Sequence, residues 1–127
     1  MSAPVFEISV EVSFSASHQL RDARGELEPL HGHNFRVEAA VAAPELDELG
    51  LVMDFLDLEK HLREILAPYD HRHLNDLSPF DRRPPSTENV ARFVYGRLEE
   101  RLGGARFEVR RVRVWEAPAY NACYGKP

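Results

Sequence analysis

The sequence has one cysteine, Cys123, so it cannot close a disulfide within the chain, and a reducing cytoplasm is the expected setting. It has no apolar run near the ~20 residues that a membrane-spanning helix requires, so no membrane partner is expected. Its first residues, Met1-Ser-Ala-Pro-Val, lack the basic start and apolar stretch of a secretion signal. An excess of positive charge is also missing: 16 basic residues stand against 21 acidic ones, a net charge of -5. That argues against nucleic acid as a main partner, because affinity for a phosphate backbone needs clustered Lys and Arg. A small anionic substrate, held by a few local arginines, remains compatible. There is no repeat, linker or low-complexity tract, so residues 1–127 read as one domain. With 43% hydrophobic and 29% charged residues, a chain of this size folds as an ordinary globular protein and buries roughly two-thirds of its unfolded surface.

What is present is alternation. From Phe6 to Leu20 the apolar residues Phe6, Ile8, Val10, Val12, Phe14, Ala16 and Leu20 share one parity, with Glu7, Ser9, Glu11, Ser13 and Ser15 on the other. A second run, His31 to Ala43, carries Phe35, Val37, Ala39 and Val41 in one phase. Period two over these lengths predicts two strands, and the Gly- and Pro-containing stretch from Arg21 to Leu30 makes them a long antiparallel hairpin. Two helices follow. Asp54 is a candidate N-cap for a stripe of Phe55, Leu58, Leu62, Ile65 and Leu66 that runs to Pro68. Ser86 or Thr87 caps the second, whose stripe is Val90, Ala91, Val94, Leu98 and Leu102, ended by Gly103-Gly104. Phe107 and Val109 open a third strand in one phase while Val112 and Val114 continue in the other, which predicts a bulge near Arg110-Arg111. A last strand covers Asn121 to Tyr124. The expected class is α+β, a four-stranded antiparallel sheet with two helices inserted between two hairpins and packed on one face.

The same parity carries chemistry. His18 is in phase with Phe14 and Ala16, and His31 and His33 are in phase with Phe35 and Val37. A lone histidine on an apolar strand face is ordinarily a satisfied core residue. Three in phase, two of them as His-Gly-His, would leave several ring nitrogens unpaired if buried without a shared ligand. If the strands pair with the loop at their end, the three imidazoles converge near its mouth. Three neutral imidazoles with an open fourth position are the ligand set of a catalytic zinc site.

Phe14-Ser-Ala-Ser-His18, Leu30-His-Gly-His-Asn34-Phe35 and Val52-Met-Asp-Phe55 resemble, in order, signatures of the 6-pyruvoyl-tetrahydropterin synthase family. So do Asp70-His71-Arg-His-Leu74-Asn75, Ser86-Thr-Glu-Asn89 and Val114-Trp-Glu116, and together they span nearly the whole chain. The resemblance implies a T-fold that trimerises through its sheets, with two trimers stacked as a hexamer. In the family, pterin-anchoring and zinc-binding residues come from different subunits. The substrate it implies is 7,8-dihydroneopterin triphosphate, with Zn2+ on His18, His31 and His33 and a proton relay at Asp70 and His71. Glu116 falls at the pterin-anchoring position, with Thr87 and Glu88 as further pterin contacts. Glu116 also shares the phase of Val112 and Val114, so its carboxylate needs donors, which a pterin's guanidine-like edge has. The plainer roles of Asp70-His71 and Thr87-Glu88 are a turn at a helix end and a helix cap.

The chain departs from the pattern in one place. Members that make the pyruvoyl or carboxy product use a cysteine in the loop before His-Gly-His; here Leu27 stands there. Glu28, three residues before His31, resembles the variant class in which glutamate replaces the thiol base and the side chain is cleaved to 6-hydroxymethyl-7,8-dihydropterin, a folate precursor. Glu26 is a more distant candidate. Cys123 is expected to be structural, and His61 and His73 to be surface residues. Three readings stand: a Glu-type lyase, a 6-carboxy-tetrahydropterin (queuosine route) or pyruvoyl synthase with another base, and a zinc-containing oligomer that binds pterin without turnover.

Overall fold

The structure is a computed structural model that describes residues 3–104 and 106–127. Strands β1 (Phe6–His18) and β2 (His31–Ala43) form the long hairpin, in unbroken register from Phe6 opposite Ala43 to His18 opposite His31. Val12, Phe14, Ala16 and His18 on β1, and Phe35, Val37, Ala39 and Val41 on β2, are buried as their parity requires. The first strand stops at His18 and does not reach Leu20. Beyond it the backbone bonds to side chains instead of a ladder: Gln19 N–H donates to Asn75 Oδ1 (2.9 Å) and Leu20 N–H to Glu28 Oε1 (2.8 Å).

Helix α1 (Phe55–Leu66) starts at Asp54, whose side chain accepts from the Leu56 N–H at 2.8 Å. Its buried stripe is Leu58, Leu62, Ile65 and Leu66; Phe55, in the same expected stripe, sits at the first helical position and stays 56% exposed. After a 3₁₀ turn over Ala67–Tyr69, residues Arg72–His73 form a short strand, β3, that runs parallel to β1 opposite Ala16 and Ser17. Helix α2 (Thr87–Leu102) is capped by Ser86, which accepts from Asn89 N–H at 3.1 Å. Val90, Ala91, Val94, Leu98 and Leu102 are its buried residues, joined by Thr87 and Tyr95. Strands β4 (Glu108–Ala117) and β5 (Tyr120–Gly125) complete the sheet.

The sheet order is β3-β1-β2-β4-β5, five strands where the sequence pattern predicts four. The extra one is two residues long, too short to leave a periodicity. All pairings but β1 with β3 are antiparallel, and the helices pack on one face, α1 on β1 and α2 on β4 and β5, so the architecture is α+β. The expected bulge is at Arg110: Ala40 faces Arg111 and Val41 faces Val109, leaving Arg110 as the extra residue. A second irregularity leaves Glu116 unpaired between Trp115, opposite Asn121, and Ala117, opposite Tyr120. Among the described residues, no helix is long and apolar enough to cross a membrane.

At the loop end of the hairpin the core meets the histidines. Phe35, fully buried, stacks on Phe14 (ring centroids 5.1 Å apart) and stands edge-on to His18 (5.6 Å) and His33 (5.3 Å). Truncating it removes both the core contact and the support of two imidazoles. Phe35→Ala is expected to cost about 3–5 kcal/mol of stability, read as a lower urea midpoint; an unchanged midpoint would show that this ring is not part of the core that holds the hairpin.

Candidate metal centre

Cross-strand register and a two-residue step are enough to gather the three imidazoles. His18 and His31 are directly opposite each other at the last pair of the hairpin, and His33 follows on the same face of β2. Gly32, opposite Ser17, points to the other face. A Cβ there would stand 3.3 Å from the Ala16 carbonyl oxygen, so glycine lets the strands close at the height of the histidines. The rings meet edge to face with centroids 4.6 to 5.0 Å apart.

The outer nitrogens decide what the inner ones do. His18 Nδ1–H donates to the Pro85 carbonyl at 2.8 Å, and His31 Nδ1–H to the Pro29 carbonyl at 3.0 Å. Each neutral ring thus turns an Nε2 lone pair inward, and these two nitrogens lie 3.0 Å apart. His33 Nε2 is buried with no hydrogen-bond partner. Burial lowers the His33 pKa; the Glu116 carboxylate opposes this, and His18 and His31 add to the lowering. At His33 protonation is therefore a poor way to relieve the buried lone pair, whereas one divalent cation would satisfy all three rings. The donor atoms lie within 4.8 Å of one another, and a neutral imidazole triad fits zinc. Hydrogen bonds from the far nitrogens to backbone carbonyls are the usual means of orienting such ligands.

Two carboxylates flank the cluster. Within the chain, Glu116 Oε2 lies 3.3 Å from His33 Nε2 and 3.7 Å from His18 Nε2. Glu28 Oε1 lies 3.8 Å from His31 Nε2 and accepts the Leu20 N–H. Its backbone is pinned as well, Glu28 N–H donating to Leu20 O and Gln19 Nε2 donating to Glu28 O. Glu26 lies in the exposed turn around Asp22, its N–H donating to Asp22 Oδ1. Leu27, at the loop position where the resemblance leads one to expect a thiol, is 47% exposed, and Cys123 is exposed on β5.

Asp70 and His71 are docked on the edge of β1. Asp70 Oδ1 accepts the Ser15 N–H (2.9 Å) and lies 3.1 Å from His71 Nδ1, while His71 N–H donates to Ser15 O (2.6 Å). His71 takes a positive φ of 61°, a conformation uncommon outside glycine and held here by those bonds. His71 is largely exposed and, with His33, Ser15, Ser17 and Asn34, lines a cavity of about 450 Å³. Thr87 is buried in the first turn of α2 and Glu88 exposed there; neither lines that cavity, and the helix start is tied to the cluster through Pro85. His73, expected at the surface, is half-buried instead: its Nδ1 is 2.9 Å from Ser17 Oγ, and it lines the same cavity. Its place two residues after His71 was the available signal, but only the β3–β1 pairing gives it meaning.

An imidazole triad at a hairpin mouth, flanked by carboxylates, is a candidate metal centre on an α+β scaffold. Residues 7–127 match the model of the family described as 6-pyruvoyl tetrahydropterin synthase, and the chain belongs to that family. It is 39% identical over 95 residues to the 6-carboxy-5,6,7,8-tetrahydropterin synthase of Synechocystis, covering 71% of this chain and 72% of that one. It is 36% identical to the dihydroneopterin monophosphate aldolase of Pyrococcus furiosus, over 90% of this chain and 92% of the relative. The human 6-pyruvoyl tetrahydrobiopterin synthase is 34% identical over 76% of each chain. The fold matches that of the Caenorhabditis elegans 6-pyruvoyl tetrahydropterin synthase with a TM-score of 0.81 and 25% identity, over 98% of this chain and 97% of that one. The chain is thus of an enzyme family that works on pterins.

The Ser15 N–H, and after it the neighbouring His71, hold the Asp70 carboxyl below the ordinary carboxylate range. A lowered pKa contributes stability above the ordinary aspartate value, and that contribution is lost as the pH falls through the lowered one. Asp70→Asn keeps an acceptor for Ser15 but cannot titrate. Its melting temperature is expected to fall less steeply than the parent's on acidification; identical acid limbs would remove Asp70 from the coupling.

Proposed function

We propose that the chain is a zinc-dependent lyase that cleaves 7,8-dihydroneopterin triphosphate and releases 6-hydroxymethyl-7,8-dihydropterin. The observation that carries this reading is Glu28, which replaces a thiol in the loop and points its carboxylate at the imidazole cluster, 3.8 Å from His31 Nε2. The Pyrococcus furiosus relative, by its name an aldolase on a dihydroneopterin phosphate, supports the same bond cleavage.

Zinc on His18, His31 and His33 would polarise the side-chain hydroxyls of the substrate and make their protons easier to remove. Glu28 takes the proton of the 2′-hydroxyl; the C1′–C2′ bond breaks, and its electron pair moves into the C6=N5 unit of the ring. The phosphorylated two-carbon aldehyde leaves. A proton then returns to C1′, carried by His71, whose Nδ1 lies 3.1 Å from the Asp70 carboxylate and whose imidazole can both accept and give a proton. Glu116 is an acceptor-only carboxylate on the buried face of β4 and suits the N–H donors of the pterin edge. Thr87 and Glu88 add contacts from the start of α2. The outer edge of β1 is covered by β3 only at Ala16 and Ser17, and β5 is the opposite border of the sheet, which supports assembly through strand edges into trimers and a hexamer.

The similarity to a 6-carboxy-tetrahydropterin synthase favours a second reading, in which the same site makes the carboxy product with Glu28 in the thiol's place. Mass spectrometry of the products from 7,8-dihydroneopterin triphosphate separates the readings. The expected product is 6-hydroxymethyl-7,8-dihydropterin, with Glu28→Gln lowering kcat roughly 10²–10⁴-fold at unchanged zinc content. A carboxy or pyruvoyl product would replace the lyase reading, unaltered substrate would point to a pterin-binding oligomer, and a fully active Glu28→Gln would exclude this residue as the base.

A further inference from the structure

Beside the metal centre lies a second cavity, of about 570 Å³, and its walls carry Arg21, Arg82 and Arg83. We propose that it receives the phosphate groups of the substrate, with these three guanidinium groups as their counter-charges. The inference rests on the pterin reading above for the identity of the substrate, and on the cavity itself for the phosphate chemistry.

Some arginines of this acidic chain pair with carboxylates, among them Arg36 with Glu11, Arg101 with Glu64 and Arg111 with Glu7, and others, such as Arg92 and Arg113, bond to amide oxygens instead. Arg21, Arg82 and Arg83 are without a carboxylate partner and share the walls of one cavity. Among the described residues none of them has a carboxylate within 4.0 Å, although Asp76 and Asp81 lie in the same walls. Arg21 NH1 donates to the Gly25 carbonyl at 2.9 Å, which leaves most of its fork unused. Three guanidinium-bearing side chains on the walls of one hollow outnumber its two carboxylates, Asp76 and Asp81, and an anion would balance them. Phosphate oxygens match the planar fork of arginine in pairs, so phosphate is the anion this geometry suits.

The arginines are also held in place. Arg82 and Arg83 both donate their backbone N–H groups to the Pro79 carbonyl, at 3.1 and 3.0 Å. Just before them Phe80 is buried, packed edge-on to Tyr69 and Phe93. Their backbone is thus preorganised, and little of it must be ordered when an anion arrives.

Position is the third argument. The wall residues Gln19 and Leu20 directly follow His18, and the wall residue Pro85 accepts the His18 Nδ1–H. Leu20 N–H donates to Glu28 Oε1, so the proposed base touches both the cavity wall and the imidazole cluster. The bond to be cleaved joins C1′ to C2′, and the first phosphate ester is on C3′, one carbon further out. A substrate placed with its hydroxyls at Glu28 therefore has its phosphates next to this cavity.

The test uses the zinc-loaded full chain and two probes. Isothermal titration with inorganic tripolyphosphate is expected to show binding that weakens with added salt and weakens at least 10-fold in R82A/R83A, with zinc content and melting temperature retained. Arg21→Gln, on a separate loop, should weaken it in the same direction. In steady-state kinetics the double variant should lose at least 10-fold more in kcat/KM on 7,8-dihydroneopterin triphosphate than on 7,8-dihydroneopterin. Absence of tripolyphosphate binding, or equal binding by parent and double variant, would overturn the proposal. So would weakened tripolyphosphate binding with equal kinetic losses on the two pterins, because the anion site would then not serve the substrate. If neither pterin is turned over, the substrate reading fails, and the titration alone decides whether the cavity is a phosphate site.

Discussion

Two imidazole nitrogens that both present lone pairs are held 3.0 Å apart, and the structure around them is arranged to keep them there. The pair arises from strand register. A slip of one residue between β1 and β2 would send His18 or His31 to the opposite face, so thirteen continuous cross-strand pairs, from Phe6–Ala43 to His18–His31, lock the site as much as they lock the sheet. Gly32 permits the close approach, Phe35 backs two of the rings, and the Pro29 and Pro85 carbonyls fix which nitrogen faces inward. Unrelieved, three converging lone pairs would be destabilising; one shared cation would relieve them.

Around this fixed centre the groups proposed to react come from less regular chain. Glu28 is carried by a loop yet anchored at its carboxylate and at both backbone groups, to Leu20 and Gln19. Asp70 and His71 are stitched to Ser15, and the positive φ of His71 is maintained by the bonds on either side of it. Local strain of this kind persists where neighbours over-determine it, and here it aims an exposed imidazole into the cavity that His33 also lines. On the proposed reading, the rigid sheet supplies the metal ligands and the pinned loops supply the groups that move protons.

Parity was legible in the sequence wherever an element was long. The hairpin, both helices, the bulge at Arg110 and the shared face of the three histidines all follow from periods of 2 and 3.6, because burial of one face imposes those periods. Glu28 was legible as a departure from a family pattern, and its carboxylate does lie near His31. Pairings between residues far apart in sequence leave no periodicity. The strand at Arg72–His73 exists because of Ser15, Ala16 and Ser17, and neither the partnership of His73 with Ser17 nor the grouping of Arg21 with Arg82 and Arg83 could be read along the chain. The early end of β1 has the same origin, since side chains of Asn75 and Glu28 take over from the ladder.

X-ray absorption at the zinc edge of the purified chain tests the central claim, that three inward-turned imidazoles share one ion. The account predicts a nitrogen shell from His18, His31 and His33 at about 2.0–2.1 Å with imidazole outer-shell scattering, and low-coordinate oxygen as the remainder. A sulfur shell near ~2.3 Å, a six-oxygen environment, or protein that takes up no zinc would contradict it.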